Sequence, residues 1–338
     1  MSILDIPSAR RDALATAASV LRAGRKVALL THVNADGDGC GSEAAVARLI
    51  HAQGGESWIV NPTPWPSLYD FLLEPPIVRD RSGEGAAALG GADLIVILDI
   101  SDIRRLGTLA DAVRAHPAAK LVIDHHIPGD DRPAGDIVAD TTACATGELV
   151  HDLAVTLGAS IDAKIATAIY AAILSDTGGF RFSNTSPRAH AIASRLLMSG
   201  VDPEEMYSRI YASAPIGKLR LLAEALATLD VDREYGIAWL SVPEGAVERH
   251  GIGAEDFDGI VEHPRSIAGV RLALLFREVA RGKTKVSFRS TGNVDVQQLA
   301  RQFGGGGHVR ASGALVNGSL DDVQHRVVAA ARAMLGKQ

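Results

Sequence analysis

Four apolar segments of the chain each end in acidic or histidine side chains. These endings are His32 after residues 26–31, Asp99 after 94–98, Asp124 to His126 after 121–123, and Asp176 after 165–174. The first three segments are short and apolar without alternation, which is typical of parallel strands that are buried on both faces. Because ligands of an open α/β sheet bind beyond the carboxyl ends of its strands, we expect these side chains to gather at one edge of a sheet.

Strand and helix patterns alternate through the first part of the chain. Helix patterns over residues 8–24 and 41–53 flank the first strand. The alternation predicts an open α/β domain over residues 1–190, with a mainly parallel sheet flanked by helices.

The rest of the chain predicts a helical linker and a smaller α/β domain. Ser186 and Pro187 have the residue types that start a helix, and Gly200 follows its expected end. We expect the linker over residues 191–225 and the second domain over 226–338. The elements predicted in the second domain are a strand at 235–242, a hairpin of 266–278 and 283–290, and helices at 294–302 and 320–335.

Composition and charge limit the kinds of ligand that the protein is expected to bind. The formal net charge of the 338 residues is −6, whereas a protein built to grip long nucleic acid is normally basic. Short or small anionic ligands therefore fit better. The two cysteines, Cys40 and Cys144, lack CxxC spacing, so we expect neither a disulfide framework nor a cysteine zinc site. No signal peptide and no apolar run of about 20 residues is visible, so we expect a cytoplasmic protein that does not bind membranes.

The acids and imidazoles at the segment ends point to a metal centre. Crowded carboxylates repel one another and raise one another's pKa, and a divalent cation removes that penalty. The set offers enough ligands for two ions that share a bridging carboxylate, and such pairs hydrolyse phosphate esters. Histidine shifts the preference from magnesium toward transition ions. We therefore expect two Mn²⁺ ions, with Mg²⁺, Co²⁺ or Fe²⁺ as substitutes.

Each of these features has a simpler interpretation when it is taken alone. The string from His32 to Asp38 is often a polar turn, and Asp99 or Asp176 could merely cap a turn or a helix end. Glu43 and Glu148 are expected in the first turns of helices, where a negative charge is favourable. Four ordered matches, each after an apolar segment, favour the metal centre.

The order and spacing of the motifs resemble the signature of the DHH phosphoesterase superfamily. The matching motifs are His32-Val-Asn-Ala-Asp36-Gly-Asp38, Asp99-Ile-Ser-Asp102, Asp124-His125-His126 and Ser175-Asp176-Thr-Gly-Gly-Phe180. The stretch at 304–313, GGGGHVRASG, is similar to the end of a DHHA1 domain, from whose usual form Ser312 departs. In size and layout the chain resembles the stand-alone branch of nanoRNases and pAp (3′-phosphoadenosine-5′-phosphate) phosphatases.

The resemblance implies a role for each residue of the metal centre. The first ion would be held by His32, Asp36 and Asp99, and the second by Asp38, Asp99, His125 and Asp176. Asp99 would bridge the ions, and a hydroxide activated by both metals would attack phosphorus. His126 would act as a catalytic residue that faces the scissile phosphate, and Asp124 would orient its neighbours.

The resemblance also implies a substrate-binding surface in the second domain. Glycines allow a close approach of backbone to a ligand, and successive N–H groups can cup an anion. The residues implied are Gly305, Gly306, Gly307, His308 and Arg289. A glycine run alone favours a flexible loop, and Lys285, on the same strand face as Arg289, is interpreted as an ordinary solvated side chain.

The function expected from the resemblance is manganese-dependent hydrolysis of short oligoribonucleotides (nanoRNA) and of pAp. The expected partners are therefore short RNA or a mononucleotide bisphosphate, with no long nucleic acid and no membrane. A homodimer is left open. Two alternative functions also remain: a phosphodiesterase for cyclic-di-AMP or linear dinucleotides, and a nucleotide sensor without turnover.

Overall fold

The chain divides into two compact units, Met1–Ser213 and Ala214–Gln338. The computed structural model describes residues 3–22, 25–257, 259–280 and 282–336. Each unit contains its own clusters of buried apolar side chains. In the described residues, no helix has the length and apolar character needed to cross a lipid bilayer.

A five-stranded parallel sheet forms the centre of the first unit. Its strands are β1 (Lys26–Leu30), β2 (Glu56–Ile59), β3 (Leu94–Leu98), β4 (Ala119–Asp124) and β5 (Asp136–Ala139). Their order is β2-β1-β3-β4-β5, and each neighbouring pair is parallel. The open parallel α/β sheet predicted from the apolar runs is confirmed.

Helices cover this sheet and place its side chains in two separate cores. The helices of the unit are α1 (Ser8–Leu21), α2 (Gly37–Ala52), α3 (Ala110–Ala115), α4 (Thr146–Leu157), α5 (Ala163–Asp176), α6 (Pro187–Met198) and α7 (Pro203–Tyr211). Three 3-10 helices cover Ser67–Leu72, Ser82–Leu89 and Ile103–Leu109. Successive residues of β1 enter different cores, since Leu29 packs with α2, α4 and α5, whereas Leu30 packs with α3 and its neighbours.

Small residues allow α2, α4 and α5 to approach one another closely. A Cβ added to Gly41 of α2 would lie 2.4 Å from the carbonyl oxygen of Ala168 in α5. A Cβ on Gly147 of α4 would lie 2.5 Å from the Cβ of Ala172. This contact brings the end of α5 close to the beginnings of α2 and α4.

A buried ion cluster ties α1 and α6 to α4. Nη1 of Arg10 donates to Glu148 Oε1 at 2.9 Å and to Asp152 Oδ2 at 2.8 Å, and its Nε donates to Asp140 Oδ2 at 2.9 Å. Arg188 also donates to Glu148 and Asp152. Glu148 lies in the first turn of α4 as expected, but it is buried and paired with two arginines. These ion pairs hold the first part of α4 against α1 and α6.

The second unit contains a six-stranded mixed sheet. Its strands are β6 (Asp230–Asp232), β7 (Ile237–Val242), β8 (Leu272–Ala280), β9 (Lys283–Ser290), β10 (Gly306–His308) and β11 (Ala311–Asn317). The order is β10-β11-β9-β8-β7-β6, and the β7–β8 pair is parallel while the other pairs are antiparallel. The helices are α8 (Ile216–Leu226), α9 (Ala246–His250), α10 (Glu262–Arg265), α11 (Val296–Arg301) and α12 (Leu320–Leu335), with a 3-10 helix at Ala254–Phe257.

One predicted strand differs in its start from the sequence prediction. Strand β8 begins at Leu272, because residues 262–270 form α10 and turns that include Gly269 at φ +83°. The segment 191–225, predicted as a helical linker, is largely helical; α6 and α7 lie in the first unit and α8 lies in the second.

Candidate metal centre

The end of β1 and the start of α2 supply the first site residues. His32 follows β1 after one residue, and Asp36 caps α2, where its side chain accepts hydrogen bonds from the backbone N–H groups of Asp38 and Gly39. The cap starts α2 at Gly37, earlier than the predicted 41. Asp38 therefore lies in the first turn of a helix and is buried.

The remaining site residues lie at the ends of β3, β4 and α5. Asp99 follows β3 with φ +62°, a backbone conformation that is uncommon outside glycine and that aspartate tolerates better than most residues. Asp124 is the last residue of β4, so His125 and His126 follow the strand directly. Asp176 is the last residue of α5.

These side chains form three overlapping groups. In each group, one potential ligand atom per residue lies within 4.8 Å of the others. The groups are His32, Asp36 and Asp99; Asp38, His125 and Asp176; and Asp99, His125 and His126. The structure thus brings together all the side chains predicted as metal ligands, and their individual roles stay predictions.

The first group leaves a ring nitrogen of His32 facing two carboxylates. Nδ1 of His32 lies 2.9 Å from the carbonyl oxygen of Val33, and because that oxygen can only accept, Nδ1 carries the proton of this bond. Nε2 lies 3.4 Å from Asp99 Oδ2 and 3.8 Å from Asp36 Oδ2. It is buried and has no hydrogen-bond partner among the described residues. A neutral imidazole held in this way presents a free lone pair, as metal-binding histidines do.

The second group repeats this arrangement around His125. Nδ1 lies 3.2 Å from the carbonyl oxygen of Ala143, which directs Nε2 toward the carboxylates. Nε2 lies 3.6 Å from Asp38 Oδ2, 3.6 Å from Asp176 Oδ2 and 3.7 Å from Asp99 Oδ1. This nitrogen also lacks a hydrogen-bond partner within the described part of the chain. The two oxygens of Asp99 therefore face different histidines.

The carboxylates are crowded enough to shift one another's pKa. Burial, followed by the charges of Asp99, Asp176 and Asp36, raises the pKa of Asp38 well above its usual range. Burial also raises the pKa of Asp176 to about 6. For Asp99 burial acts in the same direction, but the contact with His32 and other nearby imidazole charges outweigh it and lower the pKa to about 2.

His32 compensates part of this negative charge. Burial lowers its pKa, but the contacts with Asp36 and Asp99 outweigh burial and raise the pKa of His32 to about 10. In the metal-free protein, a proton on Nε2 therefore supplies positive charge that the carboxylates require, and this proton would have to leave before Nε2 could bind a cation. A divalent cation would supply more of it to the same donor atoms.

His126 is oriented by Asp124 and remains partly exposed. Its Nδ1 lies 2.8 Å from Asp124 Oδ1, and its backbone N–H donates to the same oxygen at 3.2 Å. Nδ1 also lies 3.5 Å from Asp99 Oδ1. With Nδ1 held by Asp124, Nε2 is the ring atom left for other contacts. Asp124 thus holds the ring of His126 by a hydrogen bond, and its predicted role stays a prediction.

The first turn of α4 contacts two of the carboxylates, and the sequence patterns did not predict these contacts. The N–H groups of Thr146 and Gly147 donate to the two oxygens of Asp38 at 2.6 and 2.9 Å. The hydroxyl of Thr146 donates to Asp99 Oδ1 at 2.9 Å. The fold alone reveals contacts between residues so far apart in sequence, although a small polar residue at a helix start was an available signal.

Asn184 and Arg105 were also missed. Nδ2 of Asn184 donates to Asp176 Oδ2 at 3.1 Å and to the carbonyl oxygen of Cys144 at 2.8 Å. Nη1 of Arg105 lies 3.4 Å from the carbonyl oxygen of Asp99. Arg105 follows the Asp99 motif closely in sequence, so its position after the strand was the signal that could have found it.

Glu43 differs from its prediction. Because α2 begins at Gly37, Glu43 lies in the second turn, where it is fully buried. Asn61 donates from Nδ2 to Glu43 Oε2 at 2.9 Å and accepts with Oδ1 from the N–H of Thr31 at 2.9 Å. The pair supports the end of β1, next to His32.

The predicted substrate-binding residues lie in the second unit. Arg289 shares the more exposed face of β9 with Lys285, and its Nε lies 3.4 Å from Glu262 Oε1. Gly306 and Gly307 pair with β11, so half of the four-glycine run belongs to an edge strand.

Close packing by itself explains why two positions of the glycine run, Gly305 and Gly307, have no side chain. A Cβ on Gly305 would lie 2.2 Å from the carbonyl oxygen of Gly313, and one on Gly307 would lie 2.6 Å from that of Ala311. The side chain of His308 lies outside what the structure describes.

Comparison with known proteins agrees with the motifs. Residues 26–173 match the family model of the DHH family, N-terminal domain, and residues 238–336 match that of the DHHA1 domain. The bifunctional oligoribonuclease and PAP phosphatase NrnA of Thermus thermophilus is 33% identical to the chain, with 90% of the chain and 88% of that protein covered. The protein of the same name from Bacillus subtilis is 30% identical, with coverages of 86% and 89%.

A solved structure supports the same assignment. An exopolyphosphatase-related protein from Bacteroides fragilis superposes with a TM-score of 0.88 at 26% sequence identity. The match covers 97% of this chain and 98% of that one. The chain therefore belongs to the DHH/DHHA1 phosphoesterase superfamily.

Proposed function

We propose that the protein is a divalent-metal-dependent phosphoesterase that hydrolyses short oligoribonucleotides and pAp. The observation that carries this proposal is the orientation of Asp99, whose Oδ2 faces His32 while Oδ1 faces His125. A carboxylate placed in this way can bridge two cations. The names of the relatives, bifunctional oligoribonuclease and PAP phosphatase, support the substrate class.

The donor atoms fit a pair of divalent cations. Each of two histidines presents to carboxylate oxygens a buried Nε2 that has no hydrogen-bond partner among the described residues. We propose His32, Asp36 and Asp99 as ligands of one ion and Asp38, Asp99, His125 and Asp176 as ligands of the other. The mixture of imidazole and carboxylate favours manganese over magnesium.

In the proposed mechanism, the residues around the centre position the phosphate and move one proton. Two divalent cations bound here would polarise a water molecule and neutralise charge on the phosphate oxygens. Asp124 holds Nδ1 of His126, so Nε2 is the atom that can pass a proton to the leaving oxygen. The guanidinium of Arg105, close to Asp99, is placed to attract a phosphate oxygen.

The second unit is proposed to contact the rest of the nucleotide. Arg289 can pair with a phosphate, since it is half-buried and Glu262, its acidic contact among the described residues, lies at 3.4 Å. The backbone of Gly305 to Gly307 and the side chain of His308 remain proposed contacts. A cytoplasmic location and a homodimer stay predictions.

A substrate panel tests the proposal. Full-length protein loaded with Mn²⁺ is assayed with pAp, RNA of two to five nucleotides, longer RNA and cyclic dinucleotides. We expect turnover of pAp and short RNA, little turnover of long RNA, and loss of nearly all activity in Asp99→Ala, because that change removes the shared ligand.

Other results would lead to different conclusions. Preferred cleavage of a cyclic dinucleotide would replace the proposed substrate class. Tight nucleotide binding without cleavage of any ester would favour a sensor. Wild-type turnover in Asp99→Ala would refute the bridging role.

A further inference from the structure

The first residue of α4 contacts two of the proposed metal ligands at once. Thr146 is fully buried, its hydroxyl donates to Asp99 Oδ1 at 2.9 Å, and its N–H donates to Asp38 Oδ2 at 2.6 Å. We propose that Thr146 is a positioning residue whose hydroxyl fixes the rotation of the Asp99 carboxylate, so that one oxygen serves each cation. This inference rests on the proposed function and deepens it.

The orientation of Asp99 requires a restraint. Oδ2 lies 3.4 Å from His32 Nε2, and Oδ1 lies 3.7 Å from His125 Nε2. The terminal torsion of an aspartate is broad, so the backbone does not by itself set the plane of the carboxylate. A rotated carboxylate would lose one of the two faces that the bridge needs. A donor aimed at one oxygen prevents this rotation.

The hydroxyl of Thr146 is the closer of two candidate restraints on Oδ1. Nδ1 of His126 lies 3.5 Å from this oxygen, but its proton is engaged by Asp124 at 2.8 Å. The bond from Thr146 is 2.9 Å long and comes from a neutral group. It therefore orients the carboxylate without adding a charge that would compete with a cation.

Thr146 is itself held firmly. Glu148 accepts a hydrogen bond from the N–H of Cys144 at 3.0 Å and from Arg10 at 2.9 Å, which fixes the chain on both sides of Thr146. The β-branched side chain of threonine has few χ1 rotamers. The hydroxyl is thus preorganised toward Asp99, as a supporting residue of a metal site must be.

A set of matched variants tests the role of the hydroxyl. Thr146→Val removes the hydroxyl and keeps the shape, whereas Thr146→Ser keeps the hydroxyl. Thr142→Val is the control, because Thr142 lies in the same loop, is exposed, and donates to Asp140 at 2.6 Å instead of a proposed ligand. Binding of Mn²⁺ to the metal-free full-length chain is measured by titration calorimetry, and coupling between the bound ions by electron paramagnetic resonance.

We expect wild type, Thr146→Ser and Thr142→Val to bind two coupled ions. In Thr146→Val, the affinity for one ion should fall by about tenfold or more, with loss of the coupled signal. The kcat for pAp should fall with it, while KM changes little. Thr146→Ala, which removes the hydroxyl without placing a methyl group beside Asp99, gives a second measurement if the valine variant does not fold.

Because Mn²⁺ affinity and ion coupling are measured apart from hydrolysis, the role of Thr146 and the proposed function are tested separately. Wild-type affinity and coupling in a folded Thr146→Val or Thr146→Ala protein would overturn the role of Thr146. If wild type binds two ions but cleaves neither pAp nor short RNA, the proposed function fails, and the difference between the valine and serine variants still decides the inference. Wild-type protein that binds no Mn²⁺ overturns both.

Discussion

At the residue scale, Glu43 shows that the surroundings of the site tolerate a buried acid by keeping it protonated. Its Oε2 accepts from Asn61, while Oε1 has no hydrogen-bond partner in the described residues. Burial raises the pKa of Glu43 to about 8. The neutral carboxyl group then fits between α2 and Asn61 without the cost of a buried charge.

Glu43→Gln should change how stability depends on pH. The folded metal-free protein binds the Glu43 proton more tightly than the unfolded chain does, since the pKa is raised to about 8. The contribution of Glu43 is therefore complete at low pH and is lost as pH rises from about 5 to about 8, at up to about 1.4 kcal/mol per pH unit.

Urea unfolding of both proteins across this range measures the effect. The glutamine variant should gain stability relative to wild type toward pH 8, with the exposed Glu204→Gln as a control for loss of an acid. A stability difference that does not vary with pH would contradict this explanation.

At the element scale, the distances between helices set the distances between proposed ligands. Asp38 lies at the start of α2 and Asp176 at the end of α5, and the N–H groups that begin α4 hold Asp38. Helix N-termini carry partial positive charge, so two of these elements direct favourable fields at the acids. Gly41 and Gly147 allow the helices to pack closely and therefore help to set the distances between the proposed ligands.

Gly41→Ala should separate α2 from α5. The new Cβ would lie 2.4 Å from the carbonyl oxygen of Ala168 and 2.8 Å from the N of Ala172, so backbone must move. We expect a loss of about 1–3 kcal/mol in the free energy of unfolding. We also expect weaker Mn²⁺ binding, because Asp176 moves with α5.

The control for this change is Gly83→Ala, since a Cβ at Gly83 meets nothing within 4 Å. Urea unfolding and calorimetric titration measure both effects. Because alanine is intrinsically the better helix former by about 1 kcal/mol, a Gly41→Ala protein more stable than wild type would show that the close approach imposes no constraint.

At the scale of the whole molecule, the metal groups belong to one unit. All three groups lie between His32 and Asp176, and no such group occurs among the described residues of the second unit. Each unit has its own buried cores. Metal binding is therefore expected to change the stability of the first unit directly.

Adding Mn²⁺ to metal-free protein should stabilise the first unit. Ligand at about 100 times its dissociation constant adds about 2.7 kcal/mol. Hydrogen exchange followed by mass spectrometry should show slower exchange in peptides from α2, α4 and α5, and thermal melting should shift upward. An unchanged melting curve, or protection confined to the second unit, would contradict a metal centre at these residues.

Local patterns allowed much of the fold to be predicted. Strand β3 and strand β9 have the bounds expected from their sequences, because an unbroken apolar run and a strict alternation are both local signals. The start of α2 was predicted too late, since Asp36 caps the helix across a stretch rich in glycine. Caps of this kind depend on side-chain geometry as well as residue type.

The candidate site was predictable where residue type carries the chemistry. Asp99 and His125 stand out because acids and imidazoles follow apolar runs. The supporting contacts were not predictable, since Thr146 reaches Asp99 and Asp38 from far along the chain. A hydroxyl has no chemical signature that separates this role from ordinary helix capping.

The wide spacing of the proposed ligands has a consequence for biosynthesis. The first of them is His32 and the last is Asp176, at the very end of α5. A nascent chain released before α5 is complete would lack both this acid and the helix that packs on Gly41. Such a fragment could not assemble the full ligand set. Binding of both proposed cations would therefore have to wait until the chain has been synthesised to the end of α5.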